Sequence, residues 1–184
     1  MTRNAKSGIF IIAPIDGPVG ARIADVQRTN DPRILKLGAP HVTIAGSSGI
    51  GPIASQTSVS ELTKKLGAIA ASTAPIPLRF GKPTRFMQTE IVVLPLDPHG
   101  PLRELHERIK ACGLRAAAPR FFFTPHATLS LYRELPKSVL NTLLAARFDE
   151  QVTVTRIECH LTRDTGESKK LLTLMLDGGN FRAT

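Results

Sequence analysis

Two short stretches of this chain carry the same polar pattern, Pro40-His41-Val42-Thr43-Ile44 and Pro125-His126-Ala127-Thr128-Leu129. Successive side chains of an extended strand alternate faces, so a histidine and a threonine two positions apart project to the same side, about 7 Å apart at ~3.3 Å per residue. If two such strands lie side by side or face each other, two imidazoles and two hydroxyls meet in one small volume. That inventory suits a phosphate. Hydroxyls donate to its non-bridging oxygens, while one imidazole accepts a proton and the other gives one. An unperturbed pKa of about 6.5 keeps both forms of histidine within reach near neutrality.

A single His-x-Thr in a strand is ordinarily just a histidine satisfied by one hydrogen bond. This chain has five histidines, and two of them share a preceding Pro, a small apolar successor, then Thr, then a branched aliphatic residue. The repetition is what points to a site. His99, His106 and His160 lack the pattern. His99 falls in the Pro98 to Gly100 turn and His106 on the polar side of a helix, so both are expected at the surface; His160 has no evident role.

Pro40 to Ile44 and Phe123 to Leu129, the latter led in by Phe121-Phe122-Phe123-Thr124-Pro125, resemble the paired motifs of the two-histidine (2H) phosphoesterase superfamily. The similarity is to the branch of bacterial RNA 2',3'-cyclic phosphodiesterases, also called 2'-5' RNA ligase-like proteins. After the first motif the family often continues into an aromatic-Leu-Gly segment, where this chain reads Ala45-Gly46-Ser47-Ser48-Gly49. The resemblance implies His41 as proton donor, His126 as proton acceptor, Thr43 and Thr128 as phosphate holders, and a 2'-phosphate product. It also implies two lobes related by a pseudo-twofold around a cleft, and places Phe86 where relatives often carry an aromatic near the nucleotide. The residues alone leave acid and base unassigned and require only a pair with opposite protonation needs, hence a bell-shaped rate against pH. Reversible 2'-5' RNA joining, hydrolysis of another cyclic or 2'-5' phosphodiester, and a non-catalytic RNA-binding module remain as alternatives.

The formal net charge of +9 favours polyanionic partners, here RNA ends or small cyclic nucleotides. One Tyr and no Trp argue against a broad base-stacking platform. Tyr132, and Ser130 by alternation, share the face of His126, so Tyr132 is a candidate base contact. Arg133, Arg120, Lys82 and Arg85 are candidate phosphate contacts, though any one of them is ordinarily a solvated surface charge. Gly46 to Pro52 is glycine-rich without the Gly-Lys-Ser/Thr ending of a nucleotide P-loop and is expected to be a mobile rim. Cys112 and Cys159 stand far apart with no ligand-type spacing, and no HExxH or DxD-type grouping occurs, so no metal and no cofactor is expected. Reduced thiols fit a cytoplasmic protein. The apolar run Ile9 to Ile12 is too short for a signal peptide or membrane span. No membrane partner is expected, and a monomer is.

The elements that must position the motifs form a repeating order. Gly8 to Ile15 reads as a strand, and Val19, Ile23 and Val26 follow at helical spacing. The His41 strand comes next, then a capping box at Ser58 to Glu61 opening a helix with Leu62, Leu66 and Ile69 on one side. Ile76 to Phe86 reads as a strand broken by Pro77, Gly81 and Pro83. The order then recurs: a strand over Glu90 to Leu96, a helix from Pro101 with Leu102, Leu105, Ile109 and Cys112 inward until Gly113, and the His126 strand. A helix from Pro136 and strands over Gln151 to Leu161 and Lys170 to Asp177 close the chain. At 184 residues this is one bilobal domain spanning 1–184, with pseudo-repeats about 8–86 and 90–177. The fold expected is α+β, each lobe an antiparallel sheet with helices on one face, the His-x-Thr motifs lining a central cleft.

Overall fold

The structure is a computed structural model that describes residues 7–46, 48–86, 89–163 and 168–179. It is α+β. In chain order the elements are strand β1 (Gly8–Pro14), helix α1 (Gly17–Asn30), a 3-10 helix (Pro32–Leu37), β2 (His41–Ala45), α2 (Val59–Ala71), β3 (Ile76–Leu78), β4 (Thr84–Arg85), β5 (Val92–Pro95), α3 (Pro101–Ala111), β6 (His126–Ser130), α4 (Lys137–Ala145), β7 (Val152–Val154), β8 (Arg156–Thr162) and β9 (Ser168–Met175).

The helix boundaries have local causes. Proline sits in the first turn of α1 and of α3, where its missing N–H is no loss. Ser58 caps α2, its Oγ accepting from the Glu61 N–H at 3.1 Å, as the capping box requires. Gly113, one residue past the α3 cap Cys112, holds φ at +80° and turns the chain out of the helix.

Instead of one sheet per lobe, a single seven-stranded sheet runs β4-β5-β6-β2-β1-β8-β9, and β3 pairs with β7 in a separate ribbon. Two features produce this. The His-x-Thr strands β2 and β6 meet edge to edge, antiparallel, with Val42 opposite Ala127. Strand β8 leaves the second half and pairs with β1, Gly8 to Ile12 running against Thr162 to Glu158, which satisfies the outer edge of β1. The stretch expected as one strand over Gln151 to Leu161 breaks at Thr155, so β7 and β8 serve different sheets. Ile76 to Phe86 likewise splits into β3 and β4.

The two motif ladders match in register. Pro14, Ala13 and Ile12 of β1 lie opposite His41, Val42 and Thr43. Pro95, Leu94 and Val93 of β5 lie opposite His126, Ala127 and Thr128. Each ladder carries an irregularity immediately afterwards, at Ile11/Ile12 and at Val92/Val93. The Ile15 N–H donates to the Pro40 carbonyl at 2.9 Å, and the Leu96 N–H to the Pro125 carbonyl at 3.0 Å.

The core lies between one sheet face and the helices. Val42, Ile44, Ala127 and Leu129, the residues alternating with the motif side chains, are fully buried there with Ile9, Ile11 and Leu94. Ile23, Leu62, Leu66, Leu102, Leu105, Ile109, Leu140 and Leu143 face them from the helices. The helices cross the seam: α1, from the first half, packs on β6, and α3, from the second, packs on β2. A one-residue slip of either motif strand would send its histidine into this core, so burial fixes which face the motif side chains take.

Candidate functional site

Because β2 and β6 are antiparallel with Val42 opposite Ala127, His41 stands opposite Thr128 and Thr43 opposite His126. All four side chains share the sheet face away from the core. Directly opposed Cβ atoms in such a pair are about 4.5–5.5 Å apart, and the diagonal, which here joins the two histidines, is about 7–8 Å. A tetrahedral phosphorus placed between them has one imidazole on either side and one hydroxyl beside each.

Each imidazole is held the same way. His41 Nδ1 lies 2.7 Å from the Ala39 carbonyl and His126 Nδ1 lies 2.7 Å from the Thr124 carbonyl, each two residues upstream. A carbonyl oxygen only accepts, so Nδ1 carries the hydrogen in both rings and Nε2 is left for chemistry. Nε2 is then a base when the ring is neutral and an acid when it is protonated. Both rings are half-buried, and burial is the largest influence on each, lowering the pKa from the ordinary 6.5; the carbonyl bonds from Ala39 and Thr124 oppose it.

The surroundings differ. His126 has the Phe86 ring against it, centroids 4.9 Å apart and inclined at 39°. His41 feels charge from β8: after burial and the Ala39 carbonyl, His160 and His126 lower its pKa and the Glu158 carboxylate raises it. Glu158 is 6% exposed and sits opposite Ile12, itself opposite Thr43, so it lies in the same row across the sheet. It accepts from Arg156 Nε at 3.0 Å and His160 Nε2 at 2.8 Å, with Lys170 Nζ at 3.5 Å. Burial pushes the Glu158 carboxyl up, but the bonds from His160 and Arg156 outweigh it and hold the group below its usual range.

Tyr132 is half-buried beyond the end of β6, where alternation stops, and Arg33 lies over its ring at 3.5 Å, so one face is already stacked. Arg33 is in turn bonded at 2.8 and 3.0 Å to both oxygens of Asp31, which also accepts from the Leu131 N–H at 2.8 Å. Ser130 is fully buried with its Oγ accepting from the Tyr132 N–H at 3.2 Å, so it does not face the site. Arg120, Arg133, Lys82 and Arg85 are exposed. Of the Gly46 to Pro52 segment, expected to be mobile, Ser47 lies outside the described residues; among the rest, the Gly49 N–H donates to the Phe121 carbonyl at 2.8 Å and the Gly46 N–H to the Ile50 carbonyl at 2.9 Å.

His99 is exposed in its turn, as expected. His106 is not a surface residue. It is 1% exposed, stacked on Phe123 with centroids 3.9 Å apart, because α3 presents it on the same inward stripe as Leu102, Leu105 and Ile109. Cys159 is buried in the core and its thiol is pushed up to about 12 by that burial, which leaves it inert. Among the described residues no group of three or more His, Cys, Asp or Glu side chains is placed to hold a metal ion, and no helix is long and apolar enough to cross a membrane. Sequence reading missed Glu158, Gln27 and Asp31. Glu158 was detectable as the middle of Arg156-x-Glu158-x-His160, a polar stripe on one strand face, and Gln27 as the continuation of the Val19, Ile23 line at four-residue spacing.

Residues 15–166 match the family model of the 2'-5' RNA ligase superfamily. The chain belongs to that superfamily. Its 2H architecture is matched by relatives and by solved structures. A curated Geobacillus kaustophilus protein named as a phosphoesterase is 36% identical over 135 residues, 71% of this chain and 70% of its own. A second from Geobacillus thermodenitrificans is 37% identical over 98 residues, 53% of each chain. Among solved structures, the TT0787 protein of Thermus thermophilus superposes with a TM-score of 0.65 at 16% identity, covering 92% of this chain and 98% of that one. E. coli LigT complexed with 3'-AMP superposes with a TM-score of 0.54 at 14% identity, covering 92% and 98%. The superfamily fold therefore spans nearly all of this chain, and this 2H phosphoesterase is an enzyme of the phosphodiesterase or ligase kind.

Proposed function

We propose that this 2H phosphoesterase hydrolyses 2',3'-cyclic phosphates at RNA ends or on nucleotides to 2'-phosphates, by acid–base catalysis between His41 and His126. The observation that carries the reading is the matched tethering of the two rings. Each Nδ1 is bonded 2.7 Å from a carbonyl, and each Nε2 is freed on the shared face of one antiparallel pair. Binding alone needs phosphate donors; it does not need two imidazoles turned the same way.

In the reaction, neutral His126 takes a proton from water through Nε2 as the water oxygen bonds to phosphorus. The P–O3' bond breaks, and protonated His41 delivers its Nε2 proton to O3'. The product keeps the phosphate on O2' and gains a free 3'-hydroxyl, and the two rings exchange protonation states before the next turnover. Thr43 and Thr128 donate to the non-bridging oxygens and stabilise charge that grows as the fifth bond forms. Burial disfavours the protonated ring in the unliganded site, while the anionic phosphate favours it. The Glu158 carboxylate favours protonation of His41, but His160 and His126 oppose it more strongly, so the choice of His41 as the acid rests on the superfamily resemblance of its motif.

The test is turnover of a 2',3'-cyclic nucleotide and of a cyclic-phosphate-ended RNA with EDTA present, comparing the native chain with His41→Ala and His126→Ala. The expected result is a 2'-phosphate product with rates reduced by about 10²–10⁴ in each variant. Turnover retained in either variant would sink the two-histidine mechanism. RNA bound without turnover would favour a binding role, and strand joining without hydrolysis would favour 2'-5' ligation.

A further inference from the structure

The seam between the two motif strands is held in register by one residue pair, Val42 against Ala127, yet the separation of His41 and His126 is decided there. Two buried polar side chains span it from the helix side, in opposite directions. Gln27 of α1, in the first half, donates Nε2 to the carbonyl of Thr128 in the second half at 2.8 Å. His106 of α3, in the second half, has Nδ1 2.8 Å from the carbonyl of Ile44 in the first. One acceptor is a motif threonine and the other follows a motif threonine directly.

His106 does more than make that bond. Its ring stacks on Phe123, three residues before His126, so one imidazole touches both the strand of the first motif and the approach to the second. Gly49 closes the remaining side: a Cβ there would stand 2.3 Å from His106 Cε1 and 2.8 Å from the Phe123 Cβ, at a φ of +69° that already favours glycine. The Ile44 carbonyl only accepts, so Nδ1 carries the hydrogen. Burial, the larger influence, lowers the His106 pKa against that bond and keeps the ring neutral.

Packing alone does not account for these residue types. Gln27 is 3% exposed and its Oε1 has no hydrogen-bond partner. An apolar side chain would fill the place without leaving a buried acceptor unused. The amide is explained by the one bond it makes, to Thr128.

We propose that His106 and Gln27 are positioning residues, a crossed pair of buried hydrogen bonds that fixes the separation of the two His-x-Thr strands without touching substrate. The effect on turnover rests on the two-histidine reading above; the positional claim stands apart from it.

The full-length chain is compared with His106→Phe, which keeps the stack and loses the donor, His106→Asn, which keeps a donor near Nδ1 and loses the stack, and Gln27→Leu. Two readouts are taken: kcat and KM on a 2',3'-cyclic nucleotide, and the imidazole titration midpoints of His41 and His126 by NMR. In His106→Phe and Gln27→Leu, kcat falls about 10- to 100-fold, as displacement of a catalytic pair requires, while KM stays within about threefold. Both midpoints move by about half a pH unit, and His106→Asn restores kcat and midpoints towards native values. Native kcat and native midpoints in folded His106→Phe and Gln27→Leu overturn the proposal. So does an Asn variant as impaired as the Phe variant, because restoring the donor would then have recovered nothing. A native chain that turns over no cyclic phosphate sinks the proposed reaction, and the midpoints alone then decide the positional claim. If His106→Phe fails to fold, Gln27→Leu and His106→Asn carry the same comparison.

Discussion

The two His-x-Thr strands are alike in everything the backbone controls and unlike in what flanks them. Each histidine is opposed by a proline and tethered through Nδ1, at 2.7 Å, to a carbonyl two residues upstream. The first, however, belongs to a four-strand wing, β2-β1-β8-β9, that brings the Glu158 network towards His41. The second belongs to a three-strand wing, β6-β5-β4, beyond whose last strand Phe86 lies on His126. Register gives both halves the same geometry, and the wings give the two histidines different neighbours.

The largest effects should test the likeness. Thr43→Val and Thr128→Val each remove one hydroxyl from equivalent positions, so each should lower kcat by about 10²–10³, the usual loss for one donor to a developing oxyanion. Steady-state kinetics showing one threonine dispensable would break the equivalence of the halves. The next test concerns the difference. Removing the carboxylate in Glu158→Gln takes away a charge that raises the His41 pKa, so if His41 is the acid, the alkaline limb of the kcat/KM profile moves to lower pH. Uncovering His126 in Phe86→Ala relieves its burial and raises its pKa towards 6.5, so the acid limb moves up. If the roles were reversed, Glu158→Gln would move the acid limb and Phe86→Ala the alkaline one.

The smallest effect is on stability. His41, His106 and His126 all have folded-state pKa values below the ordinary 6.5. The unfolded chain therefore binds more protons in that window. Their contribution is complete above about pH 6.5 and is lost as pH falls towards the folded values. Denaturant melts from pH 7.5 to 5.5 should show falling stability, with a shallower slope in His106→Asn. An unchanged slope would mean that the buried ring protonates as readily in the fold as out of it.

Much of this was legible in the sequence. The motif pair was visible because polar residues at a spacing of two show directly which side chains share a strand face. The helices were visible because Leu62 and Leu66, or Leu102, Leu105 and Ile109, recur at helical spacing. What was not legible was partnership between distant strands. Nothing local in Arg156 to Thr162 says that it will pair with β1, so one sheet formed where two were expected, and Glu158 came towards the site unannounced. His106 was misplaced for a related reason. A histidine is ordinarily assigned to a helix's polar side, and only the Ile44 carbonyl and the Phe123 ring, neither close in sequence, make its burial tolerable.

The pairing of Val42 with Ala127 has one more consequence. Rotating the central four side chains by half a turn about that pair exchanges His41 with His126 and Thr43 with Thr128. A cyclic phosphodiester has no such symmetry, so at the level of the motifs it can dock in either of two senses, one giving its leaving oxygen to His41 and the other to His126. In the proposed reaction the motifs supply the proton transfers and are indifferent to their direction. Handedness enters only from further out, where one side is charged and the other aromatic, so the choice of docking sense belongs to residues that never touch the phosphorus.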